Sequence, residues 1–221
     1  MQSQAIIGHA APELEISAWV QGEATRLHDL HGKVVLVEVF QLNCTGCFVH
    51  ALPEVVHLHK TYAQQGLHVI GLATAFENFD INTLENLKRL VKTGELTGEP
   101  LRQLGAAGQL QGDKLDYALP FPIAMDLLSE NRETVTDEAI QRFIDSQLAD
   151  YADLPADRQQ LIWTRASDYL HSKSHHAHTF ERYGLQGTPS SIVIDRKGVL
   201  RNVSFGRADH LEALIMPLLN A

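Results

Sequence analysis

The chain has 221 residues, a formal net charge of -9, 44% hydrophobic and 20% charged residues, enough for one well-cored domain or two small ones. That acidic balance excludes a nucleic-acid partner held through its phosphates, which needs a basic face. No apolar run approaches the roughly 18 residues of a membrane span, so no membrane partner is expected. The N-terminal "MQSQAIIGHAAPELEIS" lacks the basic start and apolar core of a secretory signal. Two cysteines, Cys44 and Cys47, are too few for a disulfide framework. The expected location is cytoplasmic, where a close thiol pair is more often catalytic or metal-binding than structural.

In chain order, "LEISAWV" and "TRLHDLH" flank Gln21-Gly22-Glu23 and predict a short hairpin or two extended pieces. "KVVLVEVF", Lys33 to Phe40, is a near-continuous run of β-branched and aromatic residues, the pattern of a strand buried on both faces. The stretch from Phe48 to Gly66 predicts a helix with a kink at Pro53. "LHVIGLAT", Leu67 to Thr74, is a second buried strand, and strand, helix and strand together make a βαβ unit with a parallel sheet. Asn82 with Glu85 resembles a capping box opening a helix that stops near Gly94. A loose Gly-rich stretch to about Asp116 precedes a third strand, Phe121 to Asp126. Helical periodicity then runs through Ile140, Phe143, Ile144, Leu148 and Tyr151. It runs again through Leu161, Ile162, Ala166, Tyr169 and Leu170, with Pro155 starting the second helix, and ends at Tyr183-Gly184. "SSIVID", the turn "RKG" and "VLRNVSF" predict a hairpin, and Asp209 with Glu212 caps a final helix.

Cys44 falls where a predicted strand turns into a helix. The first N–H groups of a helix are unpaired and carry partial positive charge, so a thiolate there is stabilised and its pKa falls below about 8.5. Cys47, one turn further in, is expected to be more buried and placed to resolve a mixed disulfide made by Cys44. Two other readings stay open. A zinc site needs three or four protein ligands, and no histidine stands at finger spacing after the pair. A purely structural disulfide would close a very short loop, which contributes little chain entropy.

With the strand, the Cys-Thr-Gly-Cys pair and the downstream "YGLQGTPSSIVIDRKGVL" in hand, the sequence resembles the thioredoxin superfamily. More narrowly it resembles the redoxin branch, with thiol–disulfide reductases of the TlpA/ResA kind and AhpC/TSA peroxiredoxins. The resemblance covers about residues 5–75, 120–126 and 180–221. It implies an α/β thioredoxin fold, a central mixed sheet flanked by helices, as one domain over 1–221 with a helical insertion at about 127–179. It also implies a cis-proline at Pro189, preceded by Thr188, beside the cysteines. There, with Thr45 and Gly46, it would shape a groove for an extended substrate chain. Glu38, the one charged residue inside "VVLVEVF", matches a buried acid of thioredoxins. Its pKa would be raised by desolvation, and it would accept the Cys47 proton during resolution.

Three features depart from the family pattern. Asn43 stands where thioredoxins carry tryptophan, Thr45-Gly46 replaces Gly-Pro, and Pro53 comes one residue late. The Thr45 hydroxyl is expected to donate to the Cys44 sulfur, and His50 is expected to be an ordinary exposed helical histidine. His171, His175 and His178, at i, i+4 and i+7 of one predicted helix, would share a face able to hold a transition metal, although no acid or cysteine there completes a site. The insertion leaves the edge of the sheet where the cysteines lie, and is expected to form a lid or docking surface beside Cys44.

The residues therefore predict a thiol–disulfide oxidoreductase that reduces disulfides. Cys44 attacks, Cys47 resolves, Glu38 moves the proton, and no bound organic cofactor or metal is implied. The substrate would be a disulfide-containing protein or a small thiol, with the upstream electron donor unspecified. One competing reading is a peroxiredoxin-like peroxidase, but "VFQLNC" lacks the proline and threonine that hold a peroxide there. Another is a metal-delivery protein using the cysteines and the histidine cluster. A third is an interaction module with an idle thiol pair.

Overall fold

The two apolar runs predicted as buried strands lie in the middle of a six-stranded sheet. The computed structural model describes residues 4–207 and 210–221. Its first half contains β1 (Ile16–Gln21), β2 (Val34–Phe40), α1 (Leu52–Tyr62), β3 (Leu67–Ala73), α2 (Leu84–Thr93), α3 (Gly98–Ala106) and β4 (Ile123–Asp126). The rest contains β5 (Leu128–Glu130), α4 (Asp137–Gln147), α5 (Ala156–Ser172), β6 (His175–Ala177), α6 (His178–Arg182), β7 (Ser190–Ile194), β8 (Leu200–Phe205) and α7 (Leu211–Leu219). The sheet order is β1-β4-β3-β2-β7-β8, and β5 pairs with β6 separately. β2 runs parallel to β3, and β3 to β4. β1, β7 and β8 run antiparallel to their neighbours. This is the expected mixed sheet flanked by helices. Among the described residues no helix is long and apolar enough to cross a membrane.

Alternation along β2 divides the core. Val34, Leu36 and Phe40 face a cluster containing Cys47, Leu52, Val55, Leu58, Leu211 and Ile215. Val35, Val37 and Val39 face another containing Leu27, Leu30, Phe180 and Tyr183. All seven β2 residues are buried, and each apolar side chain so enclosed stabilises the fold by roughly 1.5–3 kcal/mol. Glu38 shares its face with Leu36 and Phe40, the side covered by Cys47 and α1.

Several local expectations are corrected. β1 makes no hairpin across Gln21-Gly22, because its antiparallel partner is β4, and Leu27–Leu30 is a single 3-10 turn. The cap of α2 is Thr83, whose Oγ1 accepts from the Asn86 N–H at 3.2 Å, rather than Asn82. The Gly-rich stretch before Asp116 contains α3, which its four glycines and one proline obscured. The final helix α7 is present, but Asp209, expected to cap it, lies outside the described residues.

The kink expected at Pro53 takes the form of a wide π turn, Cys47–Ala51, ahead of α1. The Leu52 N–H donates to the carbonyl of Cys47, five residues back, and Pro53 has no N–H to offer the next carbonyl. The Tyr117 hydroxyl takes that role, donating to the Phe48 carbonyl at 2.7 Å.

The chain divides into two compact units, one formed by residues up to Leu128 and from Ala177 onward, the other by Ser129–His176. In the first, the buried carboxylate of Asp126 accepts from Thr74 Oγ1 at 2.8 Å and from the Thr179 and Phe180 N–H groups at 2.8 and 3.2 Å. The His178 N–H also donates to the Leu127 carbonyl at 3.0 Å, so the chain leaves and returns at adjacent points. The second unit holds α4 and α5 around Ile140, Ile144 and Ala166.

Candidate active site

β2 ends at Phe40, and its apolar grip on the sheet fixes where the next four residues emerge. The Cys44 N–H donates to the Gln41 carbonyl at 3.2 Å and the Cys47 N–H to the Cys44 carbonyl at 3.1 Å, two turns that bring the cysteines together. Cys44 and Cys47 form a disulfide, with Cα atoms 5.4 Å apart. Cys44 is half-buried and Cys47 is 0% exposed. The Cys47 N–H also points at Cys44 Sγ, 3.2 Å away. A thiolate at Cys44 would therefore meet a helix-start donor, the stabilisation that lowers a thiol pKa.

The loop before β7 closes the other side. Thr188–Pro189 is the one cis peptide bond among the described residues, and the Thr188 carbonyl oxygen lies 3.4 Å from Cys44 Sγ. A Cβ built on Gly46 would meet nothing within 4 Å, so the helix start is open there. The expected donation from Thr45 is absent. Its hydroxyl is buried without a hydrogen-bond partner among the described residues, and the Cys44 sulfur is met by the Cys47 N–H instead.

Glu38 is 0% exposed and in register with Gly71 of β3 and Ser191 of β7. The Ser191 hydroxyl donates to its Oε2 at 2.6 Å, while Oε1 is buried without a hydrogen-bond partner among the described residues. Burial disfavours the ionised form and pushes the carboxyl up to about 8, only partly offset by the Ser191 hydrogen bond. Ser191 lies two residues beyond Pro189, so one short segment serves both the sulfur and the acid.

The structure separates the predicted histidine face. His171 lies in α5, His175 in β6 and His178 in α6, so the helical spacing that would align them does not exist. Among the described residues no group of three or more His, Cys, Asp or Glu side chains is placed to hold a metal ion. His50 is exposed in the π turn. Sequence reasoning missed Gln41, Ser191 and the actual contact of Asn82, whose Oδ1 accepts from the Asn43 N–H at 3.1 Å. Asn43, at the position where thioredoxins carry tryptophan, was the available signal.

A sheet of this order, with a Cys-x-x-Cys at the end of a central strand and a cis-proline against it, is a thioredoxin-like fold. The chain is similar over 95% of its length to 96% of a thiol-disulfide isomerase from Corynebacterium glutamicum, with 29% identity and a TM-score of 0.58. Over 97% of its length it shares the fold of the thioredoxin-like superfamily protein SPOA0173, with 24% identity, 98% of that chain covered and a TM-score of 0.60. It is also 34% identical over 87 residues to Protein DipZ of Mycobacterium bovis and of Mycobacterium tuberculosis. That match takes in 36% of this chain and 12% of those proteins, so the chain spans about an eighth of the length of these curated relatives. No family model matches the sequence.

Proposed function

We propose that this protein is a thiol–disulfide oxidoreductase that reduces disulfides of extended polypeptide segments or small thiol compounds. The observation that carries the reading is the asymmetry of the pair, a half-buried Cys44 whose sulfur lies beside the Thr188 carbonyl and a Cys47 enclosed in the core. In the reduced protein, the Cys44 thiolate attacks one sulfur of the substrate disulfide, forms a mixed disulfide and releases one substrate thiolate. Cys47 then loses its proton and attacks Cys44 Sγ. The second substrate sulfur leaves as a thiolate, and the protein is left as the disulfide. Two electrons pass to the substrate, and a dithiol donor restores the pair.

Glu38 is the proposed acceptor for the Cys47 proton. Its face of the sheet is the one Cys47 packs on, its Oε1 has no hydrogen-bond partner among the described residues, and a carboxyl near 8 can both hold and release a proton close to neutrality. Thr188 is the proposed docking strand, its backbone pairing with an extended substrate and aiming the substrate disulfide at Cys44.

The test is the reduction potential of the pair, measured in glutathione and dithiothreitol buffers. The expected result is a reversible two-electron couple below about -200 mV, in the range of reductases, whereas a value near -120 mV would mark an oxidant. Failure to form the disulfide at any poise would overturn the reading. Cys47→Ser is expected to accumulate a mixed disulfide with substrate, and Cys44→Ser to form none.

A further inference from the structure

The position before Cys44 is polar, and its hydrogen bonds run to two segments that the reaction described above does not use. Asn43 donates its N–H to Asn82 Oδ1 at 3.1 Å, while its own Oδ1 accepts from the Glu99 N–H in the first turn of α3 at 2.8 Å. Asn82 is 1% exposed and its amide is fully engaged, Nδ2 donating to the Glu77 and Asn78 carbonyls at 2.9 and 3.2 Å. Gln41, 2% exposed, accepts from the Phe76 N–H at 3.1 Å through Oε1. Gly98, with φ +63°, lets α3 start this close, because a Cβ there would collide with Asn43 Oδ1. A buried amide with every group paired, as Asn82 is, specifies one arrangement, since any other leaves polar atoms unsatisfied.

We propose that Asn43 and Asn82 are positioning residues for the disulfide exchange: they tie the 41–44 turn to the 76–82 loop and to α3, and so hold Cys44 Sγ at the Cys47 N–H. This rests on the thiol–disulfide reading. The Asn43 side chain thus acts inward, on the geometry of the attacking sulfur. Loosening the tie removes the helix-start donor from the sulfur for part of the time, which weakens thiolate stabilisation.

The experiment is the pH profile of Cys44 alkylation by iodoacetamide in the reduced full chain, for wild type, Asn82→Ala, Asn43→Ala and Thr83→Ala. The last removes the neighbouring cap of α2 and leaves the Asn43 and Asn82 contacts alone. The charged groups on the surrounding segments, Glu38, His50, Glu77, Asp80 and Glu99, are the same in all four proteins. The expected result is an upward shift of the midpoint in both asparagine variants, with alkylation near neutral pH slowed roughly threefold or more. In Thr83→Ala the melting temperature falls and the midpoint stays. Unchanged midpoints in the asparagine variants, or an equal shift in Thr83→Ala, would overturn the proposal. Should Asn82→Ala fail to fold, the half-buried Asn43→Ala decides. A wild-type pair that forms no disulfide at any poise would instead defeat the underlying thiol–disulfide reading.

Discussion

Glu38 carries the sharpest consequence of a single side chain. Its carboxyl ionises near 4.5 in the unfolded chain and near 8 in the fold. Below pH 4.5 both states are protonated and folding bears no penalty. Between the two values the unfolded chain ionises while the folded one keeps its proton, so stability is lost at about 1.4 kcal/mol per pH unit, levelling off above about 8. Urea titrations should therefore show a loss of a few kcal/mol between pH 5 and 8 that is absent in Glu38→Gln, the variant being the more stable protein at pH 8. In the proposed reaction the same variant resolves the mixed disulfide at least tenfold more slowly, a rate readable in single-turnover quenching. Activity and stability then move in opposite directions, as expected where a buried acid is kept for chemistry.

Among the elements, the π turn after Cys47 depends on Tyr117. Its hydroxyl occupies the Phe48 carbonyl, and burial holds its phenol well above the usual tyrosine range, so it stays a donor throughout the working pH range. Tyr117→Phe leaves that carbonyl without this partner and is expected to cost about 1–2 kcal/mol in urea unfolding. The sequence showed Pro53 and hence a disturbance, but not its form, because the compensating donor lies 69 positions away. The strands were more legible. β2, β3, β4 and the β7–β8 hairpin announce themselves by continuous apolar runs, and the cysteine pair by its place after one of them. β1 was legible as extended, but its partner was not, since period and propensity say nothing about which distant strand a segment joins. α3 was hidden by its glycines, and the histidine face by the break at Lys173–Ser174, where the helical period continues but the chain turns into β6. Glu38, Thr188 and Pro189 were reached by resemblance, whereas Asn43 acquired a role only when its partners in α3 and the 76–82 loop could be seen.

At the level of the whole molecule, Asp126 ties β4 to Thr74, just past β3, and to the start of α6, across the point where Ser129–His176 is inserted. Asp126→Ala unpairs two backbone N–H groups and the Thr74 hydroxyl, and should lower stability by about 2–4 kcal/mol in chemical denaturation. Replacing Ser129–His176 with a short Gly-Ser linker should leave the remaining unit folded and its cysteines able to form the disulfide, because Leu127 and His178 are already joined and the closure entropy of a loop grows only slowly with its length. A melt monitored by circular dichroism, followed by thiol counting, checks both points. The adjoining stem also sets how the molecule meets deuterated solvent. A segment that leaves and re-enters at one place can open without pulling the sheet apart. Its three buried residues, Ile140, Ile144 and Ala166, set a modest ceiling on what that opening costs. Amides in α4 and α5 should then exchange through their own openings within the intact protein. Those of β2 and β3 should be released only when the entire sheet unfolds.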